Sequence, residues 1–137
     1  MRVSSKGKTM KKRIQKKTAS TSQSAAVTKE LAVKIMGRVP TENGFYFYNS
    51  FGNPTGVVAC SFGEFCDELR SSSLESVEFH ISRGDFENWI RFLGDEELAN
   101  KIGKLRSENL PKEEQAHAIV SAIQERQNQL QNLALSQ

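Results

Sequence analysis

Residues 85–105 read DFENWIRFLGDEELANKIGKL, and this stretch decides the fold because it predicts two consecutive amphipathic helices. In the first helix the apolar residues recur at i, i+3, i+4 and i+7, as Phe86, Trp89, Ile90 and Leu93. Gly94 stands where the end of a helix favours glycine, and we expect Asp85 and Asp95 to cap the two helices. The second helix has its apolar positions at Leu98, Ala99, Ile102 and Leu105.

Three further helices are predicted on either side of this stretch. Ser61 and Glu64 have the spacing of a capping box, which predicts a helix with an apolar face from Phe62 to Leu69. Pro111 suits the first turn of a last helix, whose apolar stripe runs to Ala134. Residues 28–39 have the pattern of a short helix.

A β-hairpin is predicted before the capping box. Residues 45–48 are four consecutive aromatics of high β-propensity, residues 52–56 (GNPTG) are rich in turn formers, and residues 57–60 resume an apolar run. We expect a hairpin with a loop longer than two residues. The fold class is therefore α+β and mostly helical, with one N-terminal β-hairpin packed on about four helices.

Residues 76–82 (SVEFHIS) fit two structures. Val77, Phe79 and Ile81 alternate with polar residues, as in a half-buried strand, whereas Val77, His80 and Ile81 also share one helical face. The pattern alone leaves both alternatives open.

The charge distribution divides the chain. Residues 1–27 contain eight basic residues and no acidic one, whereas the remainder holds 11 basic and 16 acidic residues and has a net charge of −5. We expect residues 1–27 to be a disordered basic tail, residues 28–40 a linker or short helix, and residues 41–134 a single globular domain.

The composition argues against several classes of site. Cys60 and Cys66 do not form a CxxC pair, and two histidines are too few for a recognisable zinc site. We expect buried, reduced thiols, with a disulfide as the alternative, and neither a metal site nor a cofactor. The sequence has no apolar run long enough to cross a membrane and no secretory signal pattern, which predicts a cytoplasmic protein.

Several motifs resemble a small prokaryotic domain family of unknown function that is frequent in archaea. They are the glycine-flanked turn at residues 52–56, the SxxEF helix start at residues 61–65, and the pattern FHxxRGDFxxWI…LGDxxLA from residue 79 onward. The resemblance covers residues 44 to about 106. It implies a shared fold and a helix through the histidine segment, and it implies no activity.

His80, Arg83, Asp85 and Trp89 are the candidate ligand-binding residues of the domain. A histidine beside a carboxylate can act as a base, and an arginine can hold an anion. The structural alternative is that Asp85 is a cap, Trp89 belongs to the core, Arg83 pairs with a local carboxylate such as Glu87, and His80 is a half-buried, hydrogen-bonded side chain. We assign no catalytic residue, because no nucleophile or phosphate-loop motif is present.

The tail suggests the function. We expect a non-enzymatic nucleic-acid-associated protein that binds the phosphate backbone of DNA or RNA, without reading its sequence, through Arg2, Lys6, Lys8, Lys11, Lys12, Arg13, Lys16 and Lys17. A tail that only aids solubility is an alternative reading, and attraction to an anionic membrane surface is a weaker one.

The folded domain would then be an interaction module. Tyr46 and Tyr48 could stack on bases or belong to the core, and the C-terminal helix could pack on the core or pair with a second copy or a protein partner. The alternative function is a regulatory module that binds a small anionic or sugar ligand near His80, Arg83 and Trp89.

Overall fold

The computed structural model describes residues 28–136, in which one α-helix precedes a β-hairpin and five α-helices follow it. The elements are α1 (Lys29–Ile35), a 3-10 turn (Thr41–Asn43), β1 (Phe45–Ser50), β2 (Asn53–Ala59), α2 (Phe62–Ser71), α3 (Leu74–Arg83), α4 (Asp85–Leu93), α5 (Glu96–Ser107) and α6 (Lys112–Leu135). The α+β, mostly helical fold with one hairpin is confirmed. Helix α1 is the short helix predicted within residues 28–39, and α3 is the helical alternative for residues 76–82. The predicted basic tail lies outside the described residues.

The hairpin is tighter than predicted. β1 and β2 pair antiparallel, and only Phe51 and Gly52 separate them, with Gly52 at a φ of 75°. The expected loop longer than two residues is wrong, because β2 begins at Asn53 and includes most of the GNPTG segment. Pro54 lies opposite Tyr48, where the register is irregular.

The ambiguous segment at residues 76–82 belongs to a helix. Helix α3 begins after Ser73, whose hydroxyl accepts a hydrogen bond from the Ser76 backbone N–H at 3.1 Å. It ends at Gly84, which has a φ of 75° and also precedes the first residue of α4. Asp85 therefore lies inside α4 and makes no capping hydrogen bond, so the prediction that Asp85 caps this helix is wrong.

Two other predicted caps are confirmed. The Ser61 hydroxyl accepts from the Glu64 N–H at 3.2 Å, and the Glu64 carboxylate accepts from the Cys60 N–H at 2.8 Å. Asp95 accepts from the Leu98 N–H at 3.1 Å and from two nitrogens of Arg126 in α6 at 2.8 and 2.9 Å. This buried ion pair fixes the start of α5 against the last helix.

The core lies between the hairpin and the helices. Its largest fully buried members are Phe47, Phe62, Phe65, Phe86, Ile35, Ile90, Ile102, Ile119, Ile123 and Leu130. Ile35 comes from α1, so the packed core extends upstream of residue 41. No helix within residues 28–136 combines the length and apolar character that crossing a bilayer requires.

Candidate functional site: an aromatic groove supported by a buried histidine

His80 is a buried link between α3 and the hairpin. The residue is 2% exposed, and its ring lies among the rings of Phe45, Phe47, Phe79 and Phe86, with centroid distances of 4.8 to 6.0 Å. Nε2 accepts a hydrogen bond from the backbone N–H of Tyr48 at 2.9 Å. The prediction of a half-buried histidine therefore understates its burial.

Both ring nitrogens of His80 are used. Because Nε2 accepts from a backbone N–H, the proton of the neutral ring lies on Nδ1, which donates to Asp85 Oδ2 at 2.8 Å. Burial lowers the pKa of His80, and the hydrogen bond to Asp85 opposes that effect only in part. The neutral imidazole is consequently the native form, and it has no nitrogen left for a substrate.

Ser76 completes the link one helical turn earlier. Its hydroxyl donates to the backbone carbonyl of Tyr48 at 2.6 Å. Positions 76 and 80 are i and i+4 on one helix face, so α3 satisfies both backbone groups of a single β1 residue. Side chains of a helix thus occupy the position that a third strand would take.

Arg83 and Asp85 form the exposed end of this cluster. Arg83 Nε donates to Asp85 Oδ2 at 3.1 Å, the same oxygen that His80 contacts. The guanidinium also lies 5.3 Å from the centroid of the Phe79 ring. The local carboxylate that Arg83 pairs with is therefore Asp85 and not Glu87, which binds Arg106 at 3.1 Å. The Arg83 side chain is half exposed, which makes it the cation of the predicted cluster that solvent can reach.

Trp89 belongs to the core, as the structural alternative predicted. Its ring is largely buried, and Nε1 donates to the carbonyl of Asn43 at 2.9 Å. The structure therefore brings His80, Arg83, Asp85 and Trp89 together, but three of the four are engaged in holding the fold.

A groove of about 730 Å³ opens directly above this cluster. Its walls come from the 3-10 turn, the hairpin, α3 and α4, and its lining is mainly aromatic. The ring-bearing residues that line it are Phe45, Tyr46, Tyr48, Phe51, Phe79, His80, Trp89 and Phe92. Polar groups enter from Glu42, Asn43, Arg83, Asp85 and Asn88.

Three aromatic rings of the groove are well exposed. Tyr46 is 49%, Phe51 85% and Phe92 55% exposed, and they lie on β1, at the hairpin tip and on α4. Of these, the sequence pointed only to Tyr46. Phe92 was identifiable as the aromatic that falls off the apolar stripe of α4. Phe51 was identifiable as a bulky apolar residue beside a turn glycine.

The sequence also led to predictions about thiols, metal ligands and phosphate-binding cations. Cys60 and Cys66 are free and buried, so the disulfide alternative is not realised, and burial raises the pKa of the Cys66 thiol to about 12. Among residues 28–136, no group of three or more His, Cys, Asp or Glu side chains is arranged to hold a metal ion. The eight cations assigned to phosphate binding all lie outside the described residues.

The chain matches none of the protein-family models, curated proteins or solved structures with which it was compared. The resemblance based on the FHxxRGDFxxWI pattern therefore stays a prediction.

Proposed function

We propose that this protein is a non-enzymatic nucleic-acid-binding protein whose basic N-terminal segment binds phosphates and whose folded domain is an interaction module. The observation that carries the proposal is the separation of charge along the chain. Eight basic residues and no acidic one occupy residues 1–27, while the remainder has a net charge of −5. A cationic segment of this kind attracts polyanions through counterion release.

The folded domain supports a binding role rather than a catalytic one. The histidine that has a carboxylate neighbour is buried, neutral and hydrogen-bonded through both nitrogens. A general base must reach the proton that it removes, either directly or through one water. His80 does not meet this requirement, whereas the groove above it is open and lined by rings.

The test is fluorescence-polarisation binding of the full chain to labelled DNA at a series of salt concentrations. If all eight cations displaced counterions from a duplex, log K would fall against log salt with a slope of about −7. A variant with Lys11, Lys12, Arg13, Lys16 and Lys17 changed to Gln should lose most of this slope. The matched control changes five exposed lysines of the folded domain to Gln and should keep the slope; they are Lys29, Lys34, Lys101, Lys104 and Lys112.

Two results would contradict the proposal. One is the absence of binding at low salt, and the other is a salt slope that the five tail substitutions leave unchanged. The second result would place the phosphate contacts on the folded domain.

A second candidate function is the regulatory binding of a small anionic or sugar ligand in the groove. Its support is the volume of about 730 Å³, which lies within the range of small-molecule pockets, together with the half-exposed Arg83 guanidinium. Such a ligand would contact Arg83 and the aromatic walls, while His80 and Trp89 would act only as supports.

A further inference from the structure

We infer that the aromatic groove binds unpaired nucleobases, so that the protein prefers single-stranded nucleic acid to a duplex. This inference rests on the proposed function and assigns the groove a part in it. The residues that carry it are Tyr46, Phe51, Phe92 and Arg83.

The exposed rings are concentrated in one place. Single apolar side chains on a protein surface are ordinary, but a cluster of them on one concave surface marks an interaction site. Tyr46 and Phe51 come from the hairpin and Phe92 comes from α4, and all three line the same groove. A planar ligand that enters the groove therefore meets rings contributed by two different elements.

The charges select the class of ligand. Arg83 lies at the groove beside Phe79, and its Nε donates to Asp85. The carboxylate therefore offsets part of the attraction that the guanidinium would have for an anionic ligand. Glu42 adds a negative charge to the groove lining. The groove therefore offers stacking surface and little attraction for phosphate, while the eight cations of residues 1–27 offer phosphate attraction and no rings.

Single-stranded nucleic acid matches both the cationic residues 1–27 and the aromatic groove. Its backbone is polyanionic, and its bases expose their faces, which a duplex hides within the stack. An apolar peptide would use the rings and leave the cationic segment without a partner, and a small anion would need only one cation. The combination of rings and cations in one chain therefore favours unpaired bases.

The test compares two fluorescein-labelled probes, a strand of 12 thymidines and a mixed-sequence duplex of 12 base pairs, at one salt concentration. Stacking of one base on one ring should make Phe51→Ala and Phe92→Ala weaken strand binding by about fivefold to 150-fold. The same variants should leave duplex binding unchanged. Leu135→Ala is the control, because Leu135 is an exposed apolar side chain like Phe51 and Phe92 but lies at the end of α6 and does not line the groove.

The single tryptophan gives a second readout that does not depend on the tail. Trp89 is the only tryptophan of the chain and lines the groove. The strand should quench its emission as it binds, whereas the duplex should bind without quenching. This measurement also detects groove binding in the variant with five tail substitutions, at a higher strand concentration.

The outcomes separate the inference from the proposed function. Equal binding of strand and duplex, with no effect of Phe51→Ala and no quenching, would overturn the inference and leave tail-mediated binding intact. Quenching by the strand without salt-sensitive duplex binding would support the groove and contradict the role of the tail. A wild-type dimer in light scattering that Phe51→Ala converts to a monomer would make the groove an interface between two copies, and the inference would be wrong.

Discussion

Lowering the pH from 7.5 to 5 should destabilise the domain through the protonation of one side chain, His80. In the folded protein Nε2 accepts from the Tyr48 N–H, so a proton on Nε2 would place two donors against each other. Burial further disfavours the charged ring, and together these effects lower the pKa of His80 below its ordinary value of 6.5.

The sign and the size follow from proton linkage. Because the native pKa is lowered, the unfolded chain binds more protons than the folded chain below pH 6.5, and the free energy of unfolding falls as the pH falls. The loss is at most about 1.4 kcal/mol per pH unit, the limit for one proton. The loss of stability begins near the pKa that His80 has in the unfolded chain, and it ends once the pH lies below the pKa of His80 in the folded protein. Above pH 7 the contribution of His80 to stability is fully present.

Urea denaturation followed by circular dichroism at half-unit steps between pH 5 and 7.5 measures this effect. His80→Gln should flatten the dependence, because glutamine does not titrate and its amide oxygen can still accept from the Tyr48 N–H. His117→Gln is the control, since His117 is exposed on α6, and it should keep the wild-type slope. The carboxylate of Glu64 has its pKa lowered by the hydrogen bond from Arg38, so its effect appears below pH 4.5 and outside this window.

A wild-type stability that is constant between pH 5 and 7 would contradict the role assigned to His80. So would a pH dependence that His80→Gln leaves unchanged while His117→Gln removes it. Either result would mean that the buried imidazole is not the group that takes up the proton.

Three further predictions concern a buried ion pair, two glycines and a buried thiol of the folded domain. Asp95→Ala should lower the free energy of unfolding by about 3–5 kcal/mol in urea denaturation, because the largely buried guanidinium of Arg126 loses its close partner and keeps only a 3.5 Å contact with Glu97. Asp67→Ala breaks an exposed pair and should cost about 1 kcal/mol or less. Gly94→Ala should cost about 1–3 kcal/mol because φ is 113°. Gly63→Ala lies inside α2, where the added Cβ would meet only side-chain atoms of Ser61 and Gln127 at 3.9 Å, and it should instead stabilise by about 0.5–1 kcal/mol in thermal melts. Cys66 should resist iodoacetamide at pH 8 until urea unfolds the chain, as mass spectrometry can show, because the pKa of this fully buried thiol is raised to about 12; rapid labelling of the native protein would contradict this burial.

The helices of residues 85–105 were predictable because their signals are local. Apolar spacing, a terminal glycine and an aspartate cap all lie within a few residues of the structure that they specify. The error at Asp85 has a physical reason. One residue, Gly84, both ends α3 and precedes α4, so no room is left for a separate capping residue, and the carboxylate turns to His80 and Arg83 instead.

The histidine segment was not predictable from its own pattern, because its structure depends on a residue far along the chain. The N–H and carbonyl of Tyr48 need partners, and they find them at His80 and Ser76, 32 and 28 positions away. The groove was missed for a similar reason. Phe51 and Phe92 each carry only a weak local signal of exposure, and it is the packing of the hairpin against α4 that brings them to one surface.

The polar cluster around His80 supports the hairpin, and the groove is the exposed surface that the hairpin helps to form. A two-stranded hairpin is marginally stable in water by itself, and here α3 supplies the missing edge through Ser76 and His80. The strand that these side chains hold at Tyr48 is the strand that presents Tyr46, and Phe51 follows at its end. A histidine used in this way has no role as a base, yet it holds the strand that carries Tyr46. If the groove binds bases, His80 is a positioning residue, and strand affinity should weaken together with stability as the pH falls below 6.5.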